Sequence, residues 1–106
     1  MDGGGIAMLN GKLVTAWRRE KDVYFFEPGK PEIKLGAGQD PALAANAKGA
    51  YTIWTEGKAI VALQAGAAKP ARLSENGAFP ALIALPDGAM LAAWEENGAI
   101  ATHRIE

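Results

Sequence analysis

Cysteine is absent from this 106-residue sequence. No disulfide framework is available, and no thiolate can serve as nucleophile or metal ligand. Histidine occurs once, at position 103, and no His/Cys/Asp/Glu cluster has metal-ligand spacing. An excess of charge is missing too: 11 Lys plus Arg stand against 12 Asp plus Glu. A chain so balanced has no electrostatic footprint for nucleic acid or an anionic membrane. Long apolar runs are also lacking, and none approaches the roughly 18 residues that span a bilayer. The start, Met1-Asp2-Gly3-Gly4-Gly5, has neither the basic nor the apolar region of a signal peptide. With the missing cysteines, this favours a reducing, cytoplasmic setting. Gly3-Gly4-Gly5 and Gly36-Ala37-Gly38 lack the Lys-Ser/Thr and the helix of a phosphate loop, and no other cofactor motif stands out.

What the sequence does have is a repeat. Trp17, Trp54 and Trp94 are 37 and 40 residues apart. Each ends a similar run: Leu13-Val14-Thr15-Ala16-Trp17, Ala50-Tyr51-Thr52-Ile53-Trp54, Met90-Leu91-Ala92-Ala93-Trp94. A glycine precedes each run (Gly11, Gly49, Gly88), and a polar turn follows it. Then comes a second apolar run: Val23–Phe26, Ala59–Leu63 and Ala99–Thr102. Upstream of the glycines, Pro41-Ala42-Leu43-Ala44-Ala45 matches Pro80-Ala81-Leu82-Ile83-Ala84-Leu85, and more weakly Gly5–Leu9. Tryptophan, proline and glycine agree on one period near 40 residues.

Each unit reads as short strands joined by tight turns. Asn10-Gly11 and Asp87-Gly88 are hairpin dipeptides, because Asn, Asp and Gly tolerate the positive φ of a type I′ turn. Glu56-Gly57-Lys58 and Asn97-Gly98 mark the next turn. A fourth strand follows in the first two units, at Glu32–Leu35 and Ala71–Ser74, and none is visible before Glu106 in the third. Helix is disfavoured: the longest stretch free of Gly and Pro begins at Lys12, ends before Pro28 and is rich in Val, Tyr and Phe. Four strands per period of about 40 residues is the pattern of a β-propeller blade. The expected fold is all-β, with blades at about 5–38, 41–75 and 80–105 in a single domain. Hydrophobic content is 49%, much of it alanine, as converging inner strands require.

Pro-Ala-Leu followed by Gly and by a strand ending in Trp with a carboxylate nearby resembles sialidase-like propeller blades of the bacterial neuraminidase-repeat type. The matching stretches are Pro41-Ala42-Leu43-Ala44…Gly49…Trp54-Thr55-Glu56 and Pro80-Ala81-Leu82-Ile83…Gly88…Trp94-Glu95-Glu96. The family's Asp-box is absent, for the only serine is Ser74. Arginines stand at 18, 19, 72 and 104 only, so the family's arginine triad and its other catalytic residues are not carried over. The resemblance implies fold, not activity.

Propellers have about four to eight blades, and three leave two apolar faces open. Two copies give six, so a head-to-tail homodimer closing one ring is expected. Competing readings are another assembly, a piece of a longer or engineered propeller, and a small β-sandwich.

In a propeller the turns after the tryptophans share a face with the interblade connections, around the channel mouth. Candidate ligand-binding residues there are Arg18, Arg19, Gln39, Asp40, Glu56, Asn76 and Glu95. Charged turns are solvated by default, which is the simpler reading of the same residues. The tryptophans are expected to pack between blades rather than stack on sugar. His103 is expected to be structural or solvent-facing, since a general base needs a positioned partner. Glu95 and Glu96 invite a glycosidase reading, but adjacent strand residues point to opposite faces. The function expected from this pattern is a non-enzymatic scaffold binding a glycan, small molecule or peptide. A sialidase-like hydrolase, with Arg18 or Arg19 on an anionic sugar, and a purely structural module are the alternatives.

Overall fold

Short alternating runs broken by Asn-Gly and Gly-Lys pairs can close strands but cannot build a helical stripe. In the computed structural model, residues 4–64 and 67–105 are described, and among them are eleven strands and no helix. They are β1 (Gly4–Leu9), β2 (Lys12–Arg19), β3 (Asp22–Phe26), β4 (Ile33–Ala37), β5 (Gln39–Asn46), β6 (Gly49–Glu56), β7 (Ala59–Gln64), β8 (Ala71–Ser74), β9 (Gly77–Ala84), β10 (Met90–Glu96) and β11 (Ala99–Ile105). Met1–Gly3, where the sequence starts, and Glu106, before which no fourth strand of the third unit is visible in the sequence, lie outside the described residues.

The strands form three antiparallel sheets, β1-β2-β3-β4, β5-β6-β7-β8 and β9-β10-β11. Three sheets are one more than a two-layer sandwich has. The first strands of the sheets meet in sequence order, β1 against β5 and β5 against β9. Between the first two sheets lie Val14, Ala16, Val23 and Phe25 on one side and Leu43, Ala50, Trp54 and Val61 on the other. Between the second and third lie Ala44, Tyr51, Ile53 and Ile60 against Leu82, Met90, Ala92 and Trp94. The middle sheet is therefore covered on both faces. This is why β6 reads as a nearly continuous buried run, without the alternation of a half-exposed strand.

The two remaining sheet faces are apolar and open. On the first sheet Ile6, Met8 and Leu13 are exposed, and Trp17 is only half-buried. Ile83 and Ile100 are exposed on the third sheet, as is Phe79 near the start of β9. Trp54 and Trp94 pack between sheets, as the sequence suggests. Trp17 departs from that expectation because among the described residues no sheet lies over it; it stacks on Tyr24 at 5.9 Å instead.

Three local features differ from the sequence reading. Strands run further than the apolar runs do, so Arg18 and Arg19 belong to β2, Glu56 to β6 and Glu95 and Glu96 to β10, not to turns. The connections at Gly36–Asp40 and Glu75–Ala78 are also partly strand, with Gly38 alone between β4 and β5 and Glu75 and Asn76 between β8 and β9. β5 and β9 both bulge just before their prolines: Asp40 has φ 53° and Phe79 φ 54°, each at a register shift. Proline has no N–H for the ladder, so a bulge next to it costs no available bond. Lastly, Asp87-Gly88 does not form a two-residue hairpin. Pro86 occupies the second position of a turn in which Gly88 N–H donates to Leu85 O at 3.0 Å, giving a wider loop. Asn10-Gly11 and Asn97-Gly98 do take positive φ at both residues, as a type I′ turn requires.

Candidate functional site

Strand alternation decides what the two adjacent arginines can do. Arg18 and Arg19 sit on consecutive β2 positions and so leave opposite faces of the first sheet. Arg18 turns toward the second sheet, where its Nη1 donates to Gln39 Oε1 at 3.4 Å. The two line a shallow depression of about 250 Å³ with Glu20, Lys21, Gly38 and Gly57. Arg19 turns to the open face. Its guanidinium lies 4.6 Å from the centre of the Tyr24 ring and makes a two-pronged ion pair with Glu32, at 2.9 and 3.0 Å. That pairing holds the Glu32 carboxyl below its ordinary range. Arg19 is thus a structural clamp between β2 and the start of the β4 strand region, and it does not share a site with Arg18.

The other candidates are spread out. Asp40 is half-buried at the β5 bulge, and Glu56 is exposed at the end of β6. Asn76 is exposed, and its N–H donates to Ser74 Oγ at 3.1 Å. Glu95 is exposed on the open face of the third sheet, one strand position from the inward Trp94. Among the seven, Arg18 and Gln39 are joined by a hydrogen bond. His103 is exposed on β11 and borders a depression shared with Tyr51 and Leu73. No group of three or more His, Cys, Asp or Glu side chains able to hold a metal is present among the described residues.

The edge carrying Arg18 and Gln39 is built by a repeated backbone bond. Gly38 N–H donates to Lys21 O at 2.8 Å, and Gly77 N–H donates to Lys58 O at 2.7 Å. Each bond ties the entry of one sheet to the β2–β3 or β6–β7 turn of the sheet before it. Both glycines sit close against a tryptophan: a Cβ on Gly38 would run into Trp54, and one on Gly77 into Ile60 and Trp94. Trp54 Nε1 donates to Ala37 O at 3.1 Å, and Thr55 Oγ1 to Gln39 O at 3.1 Å, so the backbone on either side of Gly38 is pinned.

Sequence reasoning weighed Glu96 only as half of a carboxylate pair with Glu95 and missed its partners. Its Oε1 accepts from Trp94 Nε1 at 2.9 Å and from Ser74 Oγ, which belongs to the neighbouring sheet. These donors lower its pKa from the ordinary glutamate value of 4.5, with the Ser74 hydroxyl the larger cause. A carboxyl whose folded pKa is depressed adds stability above its unfolded pKa and loses that contribution as pH falls through the folded value. Wild-type stability should therefore fall more steeply below pH 4.5 than that of Glu96→Gln. Parallel pH-denaturation curves would contradict the assignment. The partner sits 22 residues away in sequence, so the residue pattern carries no signal of it.

Compared with known proteins, the chain matches no protein-family model, and no curated protein is significantly similar to it.

Proposed function

We propose that the chain is half of a six-bladed β-propeller completed by a head-to-tail homodimer, and that the ring is a non-enzymatic binding module. Its ligand would sit on the edge that carries Arg18, Lys21 and Gln39. The observation that carries this reading is the constant step between sheets. The same strand order, the same inner-strand contact and the same glycine-to-turn bond recur from first to second sheet and from second to third. An arrangement in which each sheet relates to the next by one repeated operation closes on itself or continues, and symmetric closure satisfies every face. Blades resembling those of sialidase-like propellers bring the same geometry, and a ring of six falls inside the range propellers use.

The ligand chemistry follows from the depression beside Arg18. A guanidinium and an amide offer donors and acceptors suited to an anionic sugar or another small carboxylate-bearing molecule. Hydrolysis draws less support. Glu96 is held as a carboxylate between Trp94 and Ser74, while Glu95 leaves the opposite face of the strand, so the adjacent pair does not flank one bond.

Light scattering tests the ring: the expected mass is about twice the 11.1 kDa of the chain, and a stable monomer overturns it. A glycan array tests the ligand. For any acidic glycan that binds, Arg18→Ala is expected to weaken binding about 10–100-fold, the worth of one charge-assisted hydrogen bond. Turnover of a fluorogenic glycoside that is lost in Glu56→Gln or Glu95→Gln would replace this reading with the enzymatic one.

A further inference from the structure

The ladders define which positions in the three sheets are equivalent. Ala16 pairs with Gly5, Ile53 with Ala42 and Ala93 with Ala81, each one residue before a tryptophan. Counting from the tryptophans, Val23, Ile60 and Ile100 occupy the same place, six residues on. Val23 and Ile60 are wholly buried, whereas Ile100 is 74% exposed. The difference lies in what covers them. Val23 shares a cluster with Trp54 of the next sheet, and Ile60 shares one with Trp94 of the next sheet. No tryptophan of a following sheet lies over Ile100.

On the opposite side of the molecule the situation is mirrored. Ile6, Leu43 and Leu82 are equivalent, paired with Thr15, Thr52 and Ala92. Leu43 and Leu82 are each 8% exposed, and Ile6 is 64% exposed. Leu13 is exposed where its equivalents Ala50 and Met90 are buried. Trp17 is half-buried where Trp54 and Trp94 are covered. One chain therefore displays, on its two open faces, the two separate halves of a contact that it makes twice internally.

Resting on the ring reading above, we propose the residues of the seam that joins the two copies. The open face of β9–β11 takes a second copy of this chain, with the partner's Trp17 seated over Ile100 as Trp54 is over Val23 and Trp94 over Ile60. The partner's Ile6 then lies against Ala81 and Ile83, as Leu43 lies against Gly5 and Ala7. The occupant is a second copy because the complement of each face is already present on the other, in the same order and register. Continuity with the internal seams sets the direction as head to tail. The same operation that relates sheet to sheet carries the third sheet of one copy onto the first of the next.

The test uses two exposed positions, so neither change disturbs the chain's own core. The backbones at Gly5 and Leu43 approach so closely that a Cβ on Gly5 would come within 2.7 Å of Leu43 Cβ. Their equivalents across the seam are Ala81 and the partner's Ile6, within disulfide reach. Because the chain has no cysteine, the double variant Ile6→Cys, Ala81→Cys can oxidise only between introduced thiols. The expected product is a covalent dimer on non-reducing electrophoresis. A ladder or a covalent trimer overturns the two-copy closure. Absence of cross-linking in a protein that still weighs twice the chain mass overturns the seam while sparing the dimer. Ile100→Glu supplies the second measurement: at this exposed site it leaves the chain folded by circular dichroism, and the expected result is a monomer. An unchanged dimer mass for Ile100→Glu overturns the proposal. A wild-type monomer overturns the ring itself, which separates the two failures.

Discussion

Trp54→Ala is expected to lower the free energy of unfolding by about 3–5 kcal/mol, the usual cost of emptying a large aromatic site in a core. The side chain is 1% exposed and fills the space between Val23 on the first sheet and Ala59 and Val61 on the second. It also carries the hydrogen bond to Ala37 O, whose loss adds a carbonyl to be satisfied elsewhere. A domain is stable by about 5–15 kcal/mol in all, so much of the total rests on this one residue. Trp17→Ala is the instructive comparison. It holds the same place in the repeat, yet within the chain it loses mainly its stacking on Tyr24, worth about 1 kcal/mol. Urea denaturation of both variants, on an Ile100→Glu background to remove association, should separate them by at least 2 kcal/mol, the difference between those two costs. Equal losses would mean that Trp54 is not the wedge between sheets that its burial implies.

Gly38→Val is expected to be comparably damaging, at about 4 kcal/mol, for an unrelated reason. Two costs combine: a strained backbone and an overpacked contact, each worth about 1–3 kcal/mol. Gly38 has φ +148°, which β-branched residues avoid. A side chain there would also run into the Trp54 ring and the Thr55 carbonyl, neither of which can yield without breaking the bonds that hold them. The same substitution at Gly11, where a Cβ would meet nothing within 4 Å, is expected to cost only the turn strain. The difference in melting temperature between the two variants is the measurement. A Gly38→Val protein as stable as Gly11→Val would show that the sheet entry is not tightly packed.

Much of the architecture was legible in the residues because it depends on period. Three tryptophans, two prolines and the Asn-Gly pairs mark where strands must turn, and each of the eleven strands among the described residues overlaps a run visible beforehand. What escaped notice depends on register and on long-range partners. Arg18 and Arg19 look like turn residues because charge is common in turns. Only the ladder, which continues through them to Asp22, shows that they are strand and so face opposite ways. Asp40 and Phe79 have nothing in common as residue types, yet both bulge, because each precedes a proline near the start of the first strand of its sheet. Glu96 reads as half of a carboxylate pair with Glu95. Its actual partners are a hydroxyl on the neighbouring sheet and an indole two residues back.

Burial of β6 on both faces has a consequence for motion. Every ladder joins strands that are neighbours in sequence, so any one sheet can open by unzipping a hairpin without threading past another. In the Ile100→Glu monomer the outer sheets have one face in water, and their amides can reach solvent through such local openings. β6 has sheet partners on both edges and covered side chains on both faces, so its amides are released only when the seams on either side have parted. Hydrogen exchange of that monomer should then be slowest at Tyr51–Thr55 and grow faster outward in both directions, so that the stiffest part of the single chain is its middle.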